Sequence, residues 1–201
     1  MDEKSNVKQN ILDSALELFS AKGYEGVAVS ELAAAAGITK PTLYYYFSSK
    51  EGLFEAVCKE NYSRLNKVIT DSSLYKANPE NYHEDINKTL HNVATAYFLF
   101  AFENEKFYRL SMANLYVPCS SVVFEVVRKY HFEQYEIISK MFQDMANIHS
   151  NMRNKDRRLA WSFIGAINTF IGLTWGGIIE EFPGGDIAKE FVHQFMHGIY
   201  A

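Results

Sequence analysis

Lys40, Thr42, Tyr44 and Tyr45 bring a cation, a hydroxyl and two phenols into one short stretch, KPTLYYYF. At helical spacing these residues are exposed while Leu43 and Phe47 turn inward. Such a face makes hydrogen bonds but holds no group that breaks a covalent bond. Lysine meets a phosphate oxygen or a guanine edge, threonine offers a hydroxyl, and tyrosine is a flat amphipathic arm for a base edge or phosphate. Lys50 then falls in the first turn of a further helix, where the dipole disfavours a cation and a phosphate partner would offset the penalty. The chemistry indicated is recognition of a nucleic acid.

The elements that must position these side chains are readable on either side. Val29–Ala36 is built of helix formers, with Leu32, Ala33 and Ala36 at one-face spacing. Gly37 stands where a helix ends in a left-handed residue, and Ile38 can enter a small core. Thr39 offers an N-cap hydroxyl and Pro41 falls in the next helix's first turn, where its missing N–H costs little. Two short helices joined by a tight glycine turn make a helix-turn-helix. Upstream, Lys4–Lys22 repeats Val7, Ile11, Ala15, Leu18 and Phe19 at helical spacing and is closed by Gly23. Downstream, Ser48-Ser49-Lys50-Glu51 reads as a Ser-x-x-Glu capping box opening a long helix to about Leu74. Leu53, Phe54, Val57, Tyr62, Leu65 and Val68 are its expected inner face.

Leu32-Ala33, Ala36-Gly37-Ile38-Thr39, Thr42-Leu43-Tyr44-Tyr45-Tyr46-Phe47 and Ser49-Lys50-Glu51 resemble the N-terminal DNA-binding region of TetR-family transcriptional regulators. The likeness begins at Ile11-Leu12-Asp13-Ser14-Ala15, runs through Leu18-Phe19 and Gly23-Tyr24, and thins after about residue 57. It implies DNA contacts from Thr39, Lys40, Pro41, Thr42, Tyr44, Tyr45, Tyr46 and Lys50, with Tyr46 divided between that role and the core. The chain departs from the pattern at Gly26-Val27-Ala28, where a capping Thr or Ser is usual; Ser30 is the substitute for that hydroxyl-to-phosphate contact. The resemblance also implies an inducer pocket between C-terminal helices and a dimer four-helix bundle from the last two.

The remainder reads as helices over about 80–103, 107–116 and from Ser120 or Ser121 to about His149. AYFLFAFE, at the end of the first, is apolar on all sides and so expected to be buried. Tyr97, Phe98, Phe102, Phe107, Leu110, Tyr135, Met141, Phe163 and Phe170 belong to an aromatic, Met-containing set that would suit a flat or greasy ligand. A packed aromatic core explains the same residues. Leu159–Ile179 contains no charged residue, a length that could span a bilayer. Asn168, Thr169 and Thr174 interrupt it, however, and Gly165, Thr169, Gly172 and Gly176 form a small-residue stripe that lets another helix approach closely. We read this run as a buried dimer-core helix, paired with a last amphipathic helix carrying Phe191, Phe195 and Ile199. Glu190, His193 and His197 share a helix face as a metal set could, but a lone motif reads as surface or interface histidines, and no metal or cofactor is expected.

At 201 residues, with hydrophobic residues at 48% and only 4 prolines, the chain has material for a large helical core. The start, MDEKSNVKQN, lacks an apolar core, so no secretory signal is expected. Cys58 and Cys119 form no CxxC or disulfide framework, which fits a reducing cytoplasm. The net charge is −4, and within residues 1–50 five lysines (4, 8, 22, 40, 50) face Asp2, Glu3, Asp13, Glu17, Glu25 and Glu31. A nucleic-acid binder usually shows a basic footprint, so affinity must come from a few placed cations, helix N-termini and hydroxyls, doubled by a dimer. No phosphate loop, nucleophile elbow or acid–base pair nominates an enzyme.

The expectation is an all-α protein: an N-terminal three-helix helix-turn-helix domain (1–50) and a C-terminal helical ligand-binding and dimerisation domain (51–201). Its partners would be a palindromic double-stranded DNA operator, a small apolar or aromatic effector and a second copy of itself, with no membrane. The competing readings are a small-molecule-binding helical module without DNA activity and a membrane-anchored regulator.

Overall fold

The computed structural model describes residues 3–78, 81, 84–179 and 185–198. The described residues form the α-helices α1 (Glu3–Lys22), α2 (Val29–Ala35), α3 (Lys40–Phe47), α4 (Lys50–Ser72), α5 (Glu84–Glu103), α6 (Glu105–Ala113), α7 (Val122–Ile148), α8 (Asp156–Trp175) and α9 (Gly185–His197). They gather into two compact units. One holds Met1–Ser63 with Asn104–Tyr130, and the other Arg64–Glu103 with His131–Ala201.

In the first unit α1 is the brace. Its inner residues Ile11, Leu12, Ala15 and Phe19 are buried. Its polar side chains finish α2: Asn10 Nδ2 donates to the Ala36 carbonyl at 2.9 Å and Ser14 Oγ to the Ala35 carbonyl at 3.4 Å. These two carbonyls belong to the helix end that has no intrahelical donor. On its other side α1 meets α6, where Lys106 pairs with Glu17. Tyr62 of α4 closes the unit: fully buried, it stacks on Tyr130 at 4.9 Å, meets Phe107 edge-on and shares a 2.5 Å hydrogen bond with Ser111.

In the second unit α5 is central, packed by α8 and α9. Phe98 contacts Phe170 and Phe191, and Phe163 contacts Phe142, Phe191 and Phe195, at centroid separations of 5.0–6.0 Å. A polar knot ties the chain after α4 to the ends of α5 and α7. Asp85 Oδ2 accepts from the Tyr75 hydroxyl (2.6 Å) and the Asn78 amide (3.0 Å), and lies 3.3 Å from His149 Nε2. Both the Asp85 and His149 side chains are almost fully buried.

Several expectations need correction. Ser49, not Ser48, caps α4: its Oγ accepts from the Gly52 N–H at 2.9 Å, while Ser48 is left-handed at φ +62°. Val68 is exposed, and Ile69 takes the buried position. Leu99 interrupts the buried run in α5, at 47% exposed. The apolar segment beginning at Leu159 does not continue as helix to Ile179. Gly177, at φ +69°, ends α8: Ile178 N–H reaches the Leu173 carbonyl and Gly177 N–H the Thr174 carbonyl, a glycine-terminated helix end. α8 is also two-sided, burying Ala160, Phe163, Ile164, Ile167 and Ile171 while Trp161 is 56% exposed. Among the described residues no helix is long and apolar enough to cross a membrane.

Burial alone would raise the Asp85 pKa, but the Tyr75 hydroxyl, the Asn78 and Ile86 amides and His149 together hold it below the usual carboxylate value. A depressed folded pKa stabilises above the unfolded value, near 3.9, and the contribution disappears as pH falls through the folded value. Asp85→Asn should therefore lose about 1–3 kcal/mol at pH 7 and progressively less towards pH 3. Urea unfolding at the two pH values checks this, and a pH-independent loss would assign the effect to packing alone.

Candidate nucleic-acid interface

The outer face of α3 is set by how its two ends are made. α2 closes on Gly37 at φ +66°, with Ile38 N–H bonded to the Ala33 carbonyl (2.9 Å) and Gly37 N–H to the Ala34 carbonyl (3.1 Å). This pair of hydrogen bonds reverses the chain in one residue. Thr39, in extended conformation, then starts α3: its Oγ1 accepts from the Thr42 N–H at 3.4 Å and lies 2.9 Å from the Thr42 hydroxyl. Leu43 and Phe47 are buried and lock the inner face. Tyr44 and Tyr45 stand out at 45% and 75% exposed, although tyrosine has apolar surface to hide. Lys40 and Pro41 are exposed beside them, and Thr42 is half-buried.

Tyr46 is half-buried, its ring against Tyr45 at 5.3 Å and Phe47 at 6.3 Å. Ser30 is exposed in the first turn of α2. The helix start that lacks a capping hydroxyl is rescued by Glu31, whose Oε2 accepts from the Ala28 N–H at 2.9 Å. Lys22 meets the other oxygen at 2.6 Å. The Ala28 amide first, and then Lys22, hold the Glu31 carboxyl below its ordinary pKa. Two of the acidic residues that oppose a basic footprint, Glu17 and Glu31, are thus paired with lysines inside this unit.

The joint between α3 and α4 is tight. Ser48 N–H bonds to the Tyr44 carbonyl (2.9 Å) and Ser49 N–H to the Phe47 carbonyl (2.6 Å). A Cβ on Gly52 would lie 2.3 Å from the Phe47 carbonyl oxygen, so the last turn of α3 rests directly on the backbone of α4. Only glycine permits that approach. Lys50, half-buried at the start of α4, carries its ammonium 4.2 Å from the centroid of the Tyr24 ring. Glu31, Gly52 and Tyr24 escaped the sequence reading of the site. Glu31 had a signal, three residues beyond the position left without a hydroxyl cap; Gly52 and Tyr24 depend on contacts that spacing does not encode.

The C-terminal candidates divide between the units. Phe107 and Leu110 are buried in the first, with the helix-turn-helix. Tyr97, Phe98, Met141 and Phe163 are buried in the second, where Phe102, Tyr135 and Phe170 are half-buried. None of them lines either of two open grooves, of 570 and 470 Å³, along α4 and α5, whose walls include Val68, Asp71, Thr95 and Leu99. Gly165, Thr169, Gly172 and Gly176 are exposed on the outer face of α8. Phe191 and Phe195, expected beside them, turn instead into their own unit's aromatic cluster, and Ile199 lies outside the described residues. His193 and His197 are exposed with rings 4.7 Å apart.

Residues 11–57 match the model of the bacterial regulatory proteins, tetR family. The likeness to this family lies in the N-terminal part of the chain. Among curated relatives, the biofilm operon icaADBC negative transcriptional regulator IcaR of Staphylococcus aureus (strain Newman) is 37% identical over 79 residues, 39% of this chain. The transcriptional repressor AcnR of Corynebacterium glutamicum is 34% identical over 73 residues, 36% of this chain. The chain spans about two-fifths of the length of these relatives, 40% of IcaR and 39% of AcnR. Solved structures extend the fold likeness along the chain. FadR of Bacillus subtilis in complex with stearoyl-CoA superposes with a TM-score of 0.76 at 18% identity, covering 95% of this chain and 98% of that one. FadR of Bacillus halodurans gives 0.77 at 14%, with the same coverage.

Gly52→Ala should destabilise the first unit by roughly 1–3 kcal/mol, because the new methyl meets backbone that cannot give way. Denaturant unfolding checks it; wild-type stability would mean that the α3–α4 joint relaxes freely.

Proposed function

We propose that this chain is a ligand-responsive transcriptional regulator rather than an enzyme, a repressor that binds a palindromic operator as a dimer. The observation that carries the reading is the outer face of α3, where Tyr44 and Tyr45 are held in solvent beside Lys40 by a helix capped at both ends. Ser30, Thr39, Lys40, Pro41, Thr42, Tyr44, Tyr45, Tyr46 and Lys50 form the proposed DNA surface. Two such helices related by a two-fold axis would enter successive major grooves, about 34–36 Å apart. The likeness to IcaR and AcnR, a negative regulator and a repressor, supports this direction of control. We assign DNA binding to residues 1–50, ligand binding and dimerisation to 51–201, and a cytoplasmic location.

The dimer contact we assign to the outer face of α8: Gly165, Thr169, Gly172 and Gly176, together with Trp161. A Cβ on Gly165 or Gly172 would meet nothing within 4 Å in the chain itself, so the absence of side chains there answers no demand of the monomer. Ile199, outside the described residues, completes the proposal by sequence, while Phe191 and Phe195 of α9 support the contact from beneath. The effector is a small molecule with a large apolar part, held among the aromatic residues of 51–201; FadR of Bacillus subtilis, of similar fold, was solved with stearoyl-CoA. Such an effector releases DNA only as far as it binds the non-reading form more tightly. The readings without DNA activity or with a membrane anchor are not favoured.

Sheared DNA from the source organism, incubated with wild type and with Tyr44→Ala, tests the DNA half. Wild type should enrich a palindromic sequence, and Tyr44→Ala should bind it more weakly by roughly 1–3 kcal/mol while remaining folded. Equal recovery by both would remove Tyr44 from the reading surface. Gly172→Leu should leave the monomer's fold intact and wedge the dimer apart, seen as a halved mass by light scattering; an unchanged mass would move the interface elsewhere.

A further inference from the structure

We propose that Tyr24 is a positioning residue for DNA binding: its ring holds the Lys50 ammonium ready for a backbone phosphate. This rests on the regulator reading above.

Tyr24 follows Gly23, whose φ of +70° turns the chain at the end of α1. The ring is fixed from behind by two buried aromatics, Phe19 at 5.7 Å and Phe54 edge-on at 5.1 Å, themselves 5.4 Å apart. The Lys50 Nζ lies over this ring, 4.2 Å from its centroid. On the other side of the pair, the Lys50 backbone is anchored by the Ser49 cap and by the seat of the Phe47 carbonyl on Gly52. Both ends of a long, mobile side chain are therefore held.

The choice of an aromatic holder matters. Among the described residues Lys50 makes no ion pair, although Glu51 follows it directly. A carboxylate partner would cancel the charge and have to be displaced before a phosphate could bind. An aromatic face attracts the ammonium through its quadrupole and leaves the N–H donors available. Burial first, then Glu51 and Glu25, raise the Tyr24 pKa, so the ring stays neutral at physiological pH. Lys50 also stands at the N-terminal end of α4, where the helix dipole favours an anion. In a chain of net charge −4 a pre-oriented lysine is worth more than one searching solvent.

The test keeps the ring's shape and changes only its face. Tyr24 is replaced by Phe and then by phenylalanines carrying increasing numbers of ring fluorines, in wild-type and Lys50→Ala backgrounds, with urea unfolding to check the fold. Affinity for a random-sequence DNA duplex is measured against salt, so no operator is needed. Tyr24→Phe should bind as wild type. Fluorination should weaken binding stepwise, reaching roughly 2- to 5-fold per protomer, and the series should be flat once Lys50 is Ala. A flat series in the wild-type background, or the same decline without Lys50, overturns the positioning role while leaving the regulator reading intact. If wild type binds no duplex, the regulator reading falls and the positioning role falls with it.

Discussion

A carbonyl oxygen resting where a side chain would be sets the geometry of the N-terminal unit. The Phe47 carbonyl occupies the place of a Cβ on Gly52, so α3 and α4 meet backbone to backbone. Ser48 in the left-handed region and Ser49 as N-cap make the reversal within two residues. The direction in which Tyr44 and Tyr45 point follows from that joint together with the buried anchors Leu43 and Phe47. Lys50, the first residue of α4, inherits its position from the same contact. Recognition of a groove needs side chains placed to a fraction of an ångström, and rigid, short connections supply it.

α4 and α7 each run through the division between the two units, from Lys50 to Ser72 and from Val122 to Ile148. In the first unit Tyr62 of α4 is held by Ser111, Phe107 and Tyr130, contributions from α6 and α7. A shift of α4 must carry or break that clamp, so in the proposed regulator the response would be discrete rather than gradual. How far the proposed effector would move the balance is set by its difference in affinity between the two forms.

What could be read from the sequence was local. Gly37, Thr39 and Pro41 specify a helix end, a cap and a first turn through their own backbone chemistry, and α2 and α3 lie where those residues put them. The long periodic run of α1 was equally legible, because a buried stripe at 3.6-residue spacing repeats many times. Errors arose where two local signals competed. Ser48 and Ser49 both suit a cap, and the demand for a left-handed residue at 48 decided between them. At the end of α8 a single glycine, Gly177, overrode an apolar run that continued to Ile179. Contacts between distant residues had no signal at all. Asp85, Tyr75 and His149 are far apart in sequence and individually unremarkable, yet they tie three segments together. The aromatic set of the C-terminal part was visible as composition, but its division between two units was not.

Hydroxyl-radical footprinting of the enriched DNA tests the central claim, that the outer face of α3 reads DNA from a two-fold dimer. The account predicts two protected patches related by the palindrome, their centres about one helical turn apart, both lost in Tyr44→Ala. Protection of a single patch, or a footprint indifferent to Tyr44, would contradict it.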